Sequence, residues 1–272
     1  MFLSFSKYQA AGNDFIIIDD RAGSFPSEKD QFIHNLCHRR FGIGADGLLL
    51  LQTSSIASFR IRIFNSDGKE VAMCGNGMRC FVHYLGTLGF REQPFVVETM
   101  HETILCQIEG DKISIKLDKP IVFHWGIELQ TDNQSLEVFV VHTGVPHAVI
   151  FVDDLDHVDV QGLGRKIRNH TLFAPHGVNV NFAKMGSDGS VHVRTYERGV
   201  EGETYSCGTG AAAVALTVSQ KCNLLGPIRI IPFSKHFLEV HVSEASSGGK
   251  ELELIGYAAS VFEGRVAVDQ FL

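Results

Sequence analysis

One short turn occurs twice in this chain, as Cys74-Gly75-Asn76-Gly77 and as Cys207-Gly208-Thr209-Gly210, 133 positions apart (207 − 74) in 272 residues. Each copy runs into a helix-forming stretch, so each sulfur is expected at a helix N-terminus. There the exposed backbone N–H groups and the helix dipole favour thiolate over thiol. The text around the turns repeats as well. An arginine-bearing strand ends in Phe64-Asn65 in the first half and in Tyr196-Glu197 in the second. The cysteine turn follows nine residues after Asn65 and ten after Glu197, and a helix follows it. A chain built this way is constrained to two similar halves.

The fold class predicted is α+β: two pseudo-symmetric domains, each a mostly antiparallel sheet wrapped around a central helix. The first spans residues 1–118 and is completed by residues 263–272, the second spans 119–262, and the ligand site is expected in the cleft where they meet. Strands are read at Phe2 to Tyr8, Phe15 to Ile18, Leu48 to Leu51 and Phe59 to Phe64. A helix is read from a Ser27 cap through Arg40, with Phe32, Ile33, Leu36 and Cys37 as its apolar stripe. The helices after the two cysteines cover Asn76 to Leu88 and the alanine-rich run from Ala211. Beyond Lys119-Pro120 strands resume at Leu136 to His142.

Composition narrows the function. A formal charge of −7 offers no basic field to nucleic acid or to an anionic membrane surface, and no apolar run is long enough to span a bilayer. The expected partner is a small amino-acid molecule, the expected location cytoplasmic, and a homodimer is compatible with the sequence. Six cysteines lack any CxxC pair or zinc-type Cys/His spacing, so no metal is expected. Cys37, Cys80, Cys106 and Cys222 are assigned to packing. Three glycines in Gly42 to Gly47 invite a phosphate reading, but no GK[ST] follows and the next segment is a strand.

Two activated thiols, one from each half, suit proton removal on one face of a carbon and proton return on the other, which inverts a stereocentre. Without an electron sink the site must stabilise the carbanion electrostatically. The N–H groups of Gly75, Asn76, Gly208 and Thr209 are candidates to hold the substrate carboxylate onto which charge spreads. His147, on the turn after Gly144-Val145-Pro146, and Glu197 are candidates for polarising the thiols. Two other readings stay open from the residues alone. One is a redox protein in which Cys74 and Cys207 form a regulatory disulfide, and the other is a noncatalytic binding module.

The motifs together resemble the diaminopimelate epimerase family over nearly the whole chain. The resemblance rests on Gly12-Asn13-Asp14-Phe15, Gly42 to Gly47, Asn65-Ser66-Asp67-Gly68, Met73 to Cys80, Gly144 to His147, Asn179, Glu197-Arg198-Gly199, Gly202-Glu203-Thr204 and Cys207 to Gly210. It implies pyridoxal-phosphate-independent interconversion of LL- and meso-diaminopimelate, with no other cofactor and with Cys74 and Cys207 as the catalytic pair. It also implies that Asn13, Asn65, Asn179, Glu197 and Arg198 line the substrate pocket, Arg198 suiting the distal carboxylate. Proline racemases and phenazine-pathway isomerases share the general plan. One departure stands out: Val145 occupies a turn where many family members carry asparagine, so a polar contact to the distal end of the substrate is expected to be missing. Pro232 to Phe237 also lacks the paired glycines often found there, and no functional reading attaches to that.

Overall fold

Phe2–Ala10 (β1) and Asn13–Asp19 (β2) form a hairpin across Ala11-Gly12, both of which adopt positive φ. It opens a computed structural model that describes residues 2–117, 120–131, 135–246, 248–269 and 271. The chain divides into two units, Met1–Ile115 with Gly256–Leu272, and Lys116–Ile255.

In the first unit the hairpin is followed by Asp30–Cys37 (α1), Gly47–Gln52 (β3), Phe59–Asn65 (β4), Glu70–Val71 (β5), Gly75–Thr87 (α2), Phe95–Glu98 (β6), Thr103–Glu109 (β7) and Lys112–Leu117 (β8). β2 and β3 are parallel, as are β4 and β6, and the β1–β2, β3–β4, β4–β5, β6–β7 and β7–β8 pairs are antiparallel. The Phe15-Ile16-Ile17-Ile18 and Leu48-Leu49-Leu50-Leu51 runs are buried throughout, as parallel strands covered on both faces require. Ile16, Ile18, Leu48 and Leu50 share a core with Phe32, Ile33 and Leu36 of α1. Leu49 points the other way and meets α2 at Gly77.

The second unit repeats this plan: Ile121–Gln130 (β9), Ser135–His142 (β10), Pro146–Phe151 (β11), Val160–Arg168 (α3), Asn179–Met185 (β12), Val191–Glu197 (β13), Gly202–Thr204 (β14), Gly208–Cys222 (α4), Gly226–Ile231 (β15), Leu238–Glu244 (β16) and Lys250–Gly256 (β17). Parallel pairs recur at the matching places, β11–β12 and β13–β15, among antiparallel neighbours. The first paired residues correspond too, Phe15 with Gly47 and His147 with Asn179. The last strand, Ala259–Ala267 (β18), lies antiparallel along β1 as β9 does along β10. The fold is thus α+β with two pseudo-symmetric domains.

Three details differ from the sequence reading. The first helix runs from Asp30 to Cys37 rather than from Ser27 to Arg40, and its N-cap residue is Lys29, without a side-chain cap bond. Ser27 accepts a hydrogen bond from Arg62 at 2.5 Å instead, and beyond Cys37 the chain folds back so that Ile43 and Gly44 donate to the Leu36 carbonyl. Strand β9 went unread because Gly126 interrupts its alternation and its register with β10 shifts twice. The return to the first unit begins at Gly256, ahead of the boundary at 263, because β18 pairs with β1 from Ala259 onward.

From Gly208 to Ser219 α4 carries only small or apolar side chains, and all of them are buried. Such a helix is stable only when enclosed. Its alanines let the sheet approach closely, so Ala213→Leu, at a site with no exposure, is expected to lower stability by about 1–3 kcal/mol through overpacking, read as a drop in the urea unfolding midpoint.

Candidate active site

Cys74 is the N-cap residue of α2, in extended conformation (φ −144°, ψ 112°), and its half-buried sulfur accepts a hydrogen bond from the Gly77 N–H at 3.4 Å. A Cβ on Gly77 would stand 3.3 Å from Leu49 and 3.5 Å from the Cys74 Cβ, so glycine keeps the first turn close to both. Asn13, at the start of β2, lies against the sulfur with Oδ1 3.9 Å from Sγ. The same oxygen accepts from Asn76 Nδ2 at 3.2 Å, while Asn13 Nδ2 donates to Asp46 at 2.8 Å. Each end of the Asn13 amide therefore has a fixed chemical partner.

An ionic cluster stands behind Asn13. Asp14 takes a bidentate pair from Arg39 (3.0 and 2.6 Å) and a 2.7 Å bond from the buried Lys7, and Arg39 also reaches Asp46 at 2.6 Å. Burial opposes the Asp14 charge, but hydrogen bonds from Arg39 and Lys7 and their charges outweigh it and hold the carboxyl down at about 2. The Gly42 to Gly47 loop thus carries Asp46 to Asn13.

Cys207 is the N-cap residue of α4, again extended (φ −119°, ψ 112°) and half-buried. Its sulfur lies 3.5 Å from the hydroxyl of Thr209. That hydroxyl is 3.0 Å from Nε2 of His147, a residue with no exposure at all. Asn181 fixes the direction of the chain of bonds. Its Oδ1 accepts from Thr195 (3.1 Å), and its Nδ2 donates to the Ala148 carbonyl (3.1 Å) and to His147 Nδ1 (3.1 Å). With Nδ1 an acceptor, the imidazole proton sits on Nε2 and points at the Thr209 oxygen, so the threonine proton is available to the Cys207 sulfur. Burial, together with the charges of His142 and Arg198, holds His147 down at about 3, so the ring is a neutral donor at physiological pH. His147 reaches Cys207 through Thr209 rather than by contact.

A Cβ on Gly210 would stand 2.4 Å from Asn181 Oδ1 and 3.3 Å from the Cys207 sulfur, so the second glycine of this turn is required by the relay. The backbone is tied down as well, with Thr143 Oγ1 donating to the Thr209 carbonyl at 2.8 Å. Gly75, Asn76, Gly208 and Thr209 all lie in the first turns of their helices and are buried.

Asn65 ends β4 and is exposed, its backbone closing the turn with Lys69 and Gly68. Glu197 ends β13, and its carboxylate accepts from Thr204 at 2.5 Å. Asn179 commits its side-chain oxygen to the Arg198 N–H at 2.8 Å, so its amide N–H pair is what remains to offer a ligand. One Arg198 guanidinium nitrogen donates to the His176 carbonyl at 3.2 Å. Val145 is half-buried beside the Gly144 turn. Of the four cysteines assigned to packing, Cys37, Cys80 and Cys106 are buried with thiols pushed up by burial, Cys37 to about 12. Cys222 is exposed, at the last position of α4, and does not pack.

Asn181, Asp46 and Arg79 escaped the sequence reading. Asn181 had a signal: it follows Asn179 by two in the strand, between apolar Val180 and Phe182, so both amides share one face. Asp46 sat inside a loop weighed as a phosphate cradle and as a family motif, without a role of its own. Arg79 stood within the Met73 to Cys80 motif without a role of its own.

Two sheet-and-helix units of the same connectivity, each with a cysteine capping its enclosed helix, form a fold with solved counterparts. A Bacillus anthracis phenazine biosynthesis protein of the PhzF family superimposes with a TM-score of 0.79 over 98% of this chain and 99% of its own, at 16% identity. A hydroxyproline epimerase from Agrobacterium vitis, with bound trans-4-hydroxy-L-proline, gives 0.72 over 98% and 93%, at 15% identity. At those identities the likeness is one of fold. Sequence goes further: the family model described as diaminopimelate epimerase matches residues 5–122 and 139–228. The diaminopimelate epimerases of Archaeoglobus fulgidus and Aquifex aeolicus are each 38% identical to this chain, over 99% and 97% of it and 98% of their own lengths. The chain belongs to the diaminopimelate epimerase family and is an isomerase.

Asp14 and His147 both weaken the fold in acid. The Asp14 pKa is depressed on folding, so its contribution is present above pH about 4 and is lost as pH falls through about 2. His147 refuses in the folded state a proton that the unfolded chain accepts near pH 6.5, so stability declines as pH drops below that value. Asp14→Asn should therefore lose about 1–2 kcal/mol at neutral pH, with the difference from the parent narrowing between pH 4 and 2 in urea unfolding measured across pH.

Proposed function

We propose that this chain epimerises LL-diaminopimelate to meso-diaminopimelate without pyridoxal phosphate, as a step toward lysine and peptidoglycan precursors, using Cys74 and Cys207 as a two-base pair. The observation that carries the reading is that both sulfurs occupy the N-caps of buried helices, each beside its own hydrogen-bond relay. In the forward step a thiolate takes the α-proton, breaking C–H and forming S–H. The other thiol then gives its proton to the opposite face, breaking S–H and forming C–H. Each turnover leaves the two sulfurs with exchanged protonation, and the reverse reaction restores it.

The carbanion needs its charge received by the α-carboxylate, and the N–H groups of Gly75, Asn76, Gly208 and Thr209 at the helix starts are the donors assigned to it. Asn13, Asn65, Asn179, Glu197 and Arg198 bind the rest of the substrate. With its oxygen already committed, the Asn179 amide presents donors, as a carboxylate requires, and Arg198 supplies a charge beside it. The Thr209 hydroxyl, turned by neutral His147, donates to the Cys207 thiolate. Glu197 supports this half of the site from the end of β13.

Val145 replaces a polar contact at the distal end, and glutamate is proposed as a secondary substrate for racemisation because chemistry at the α-carbon is unchanged. Incubation in deuterium oxide is the test. Deuterium should enter Cα of diaminopimelate readily and Cα of glutamate slowly. No label in glutamate at high enzyme concentration would end the proposal of relaxed specificity.

Cys74→Ala and Cys207→Ala should each lower epimerisation by about a hundredfold or more with the fold intact. Full turnover in either variant would remove the two-thiol mechanism. Thr209→Val, which keeps the shape and loses the donor, should reduce kcat by about 10- to 100-fold, the worth of a hydrogen bond to a charged group.

A further inference from the structure

Arg79 is among the most deeply buried side chains of the protein, with no exposure at all. It lies one turn beyond the first turn of α2, five residues after Cys74. Its guanidinium donates only to neutral oxygens: Nη2 to Asn76 Oδ1 at 2.6 Å, Nη1 to the Gly75 carbonyl at 3.4 Å, and Nε to the Tyr257 carbonyl at 3.4 Å. Among the described residues no carboxylate pairs with it. A buried cation left without an anion is strongly unfavourable, so a negative charge forming within its reach would be stabilised by it.

The two ionisable groups that interact with it are Cys80 and Cys74. Cys80 is fully buried and its thiol is pushed up, so it stays neutral. Other charged groups near this end of the helix include Lys7 on β1, Asp14 on β2, and Arg39 and Asp46 on the loop before β3. They form a cluster of their own, in which each carboxylate already faces a cation. Burial brings Arg79 down to about 10, which leaves it charged at neutral pH.

The pseudo-symmetry sharpens this. The position five residues after Cys207 is Ala212, and the positions matching His147 and Asn181 in the first unit are Phe15 and Leu49. Hence the polar relay under Cys207 is replaced by apolar packing under Cys74, and the charge under Cys74 is replaced by alanine under Cys207. We propose that Arg79 is a positioning residue for the reaction, whose buried charge stabilises the Cys74 thiolate and whose fork fixes the Asn76 amide against Asn13. Asn76 then has one orientation, with its oxygen on Arg79 and its nitrogen on Asn13. The inference rests on Cys74 acting as a catalytic thiol.

The test compares Arg79→Met, which fills the space without charge, with Arg79→Lys, which keeps the charge without the fork. The rate of iodoacetamide alkylation of the Cys74 peptide is followed against pH by mass spectrometry, alongside kcat and thermal unfolding. Arg79→Met removes the buried charge together with its desolvation cost and keeps most of the volume, so it is expected to fold. Its alkylation midpoint should rise by about one pH unit or more, a tenfold loss of thiolate below the midpoint. Arg79→Lys should keep a midpoint near that of the parent while losing turnover through the released Asn76. A parental midpoint in folded Arg79→Met, or an equal rise in both variants, would overturn the role of the charge. Should only Arg79→Lys fold, a parental midpoint with reduced kcat supports the proposal and a raised midpoint overturns it. Alkylation reads Cys74 directly, so full epimerisation by Cys74→Ala would sink the two-thiol mechanism separately from this result.

Discussion

A cysteine sulfur at the N-cap of an enclosed helix is the arrangement on which the rest of the structure depends. A helix start supplies unpaired N–H groups and about half a positive charge, and both are strongest where water is excluded. Exclusion requires the helix to bury its side chains all round, as α4 does from Gly208 to Ser219, under the cover of the sheet. The long runs of buried Ile, Leu and Val in the strands serve this enclosure. The glycines serve it too, since Gly77 and Gly210 admit Leu49 and Asn181 into contact with the first turn of each helix.

The same scaffold is used twice and finished differently. Under Cys207 the support is a line of neutral donors, Asn181 to His147 to Thr209, whose direction follows from one amide with every polar atom engaged. Under Cys74 it is a buried arginine and two asparagine amides, with an ionic cluster fixing the far side of Asn13. The reaction proposed above needs one thiol and one thiolate at any moment, and unlike surroundings give the two sulfurs unlike proton affinities. Histidine in this setting is not a charge. Complete burial keeps it neutral, and its value lies in holding a defined tautomer.

Much of the fold was legible because the repeated turn announced two halves and the strands were either alternating or continuously apolar. The helix after Cys74 was readable within a residue at each end, and the one after Cys207 was placed from Ala211, three residues past its start at Gly208. The first helix was overestimated at both ends because a serine that resembles a cap was engaged by Arg62 from β4, a contact made across 35 residues of sequence. β9 was missed because its irregular pairing with β10 erased the alternation that marks a strand.

The sequence by itself determined the chemistry on offer: two cysteines at glycine-bearing helix starts, one in each half, among asparagines and an arginine suited to an amino-acid substrate. Residue type and local spacing suffice for that, since a helix start and a glycine turn are properties of consecutive residues. Only the tertiary structure decided what stands behind each sulfur. Asn13 comes to Cys74 across 61 residues and His147 to Thr209 across 62, and Arg79 changes from a helix charge into a fully buried one because α2 is enclosed on all sides. Hydrogen-bond direction and desolvation arise between segments that are neighbours in space and strangers in sequence, so no local pattern records them.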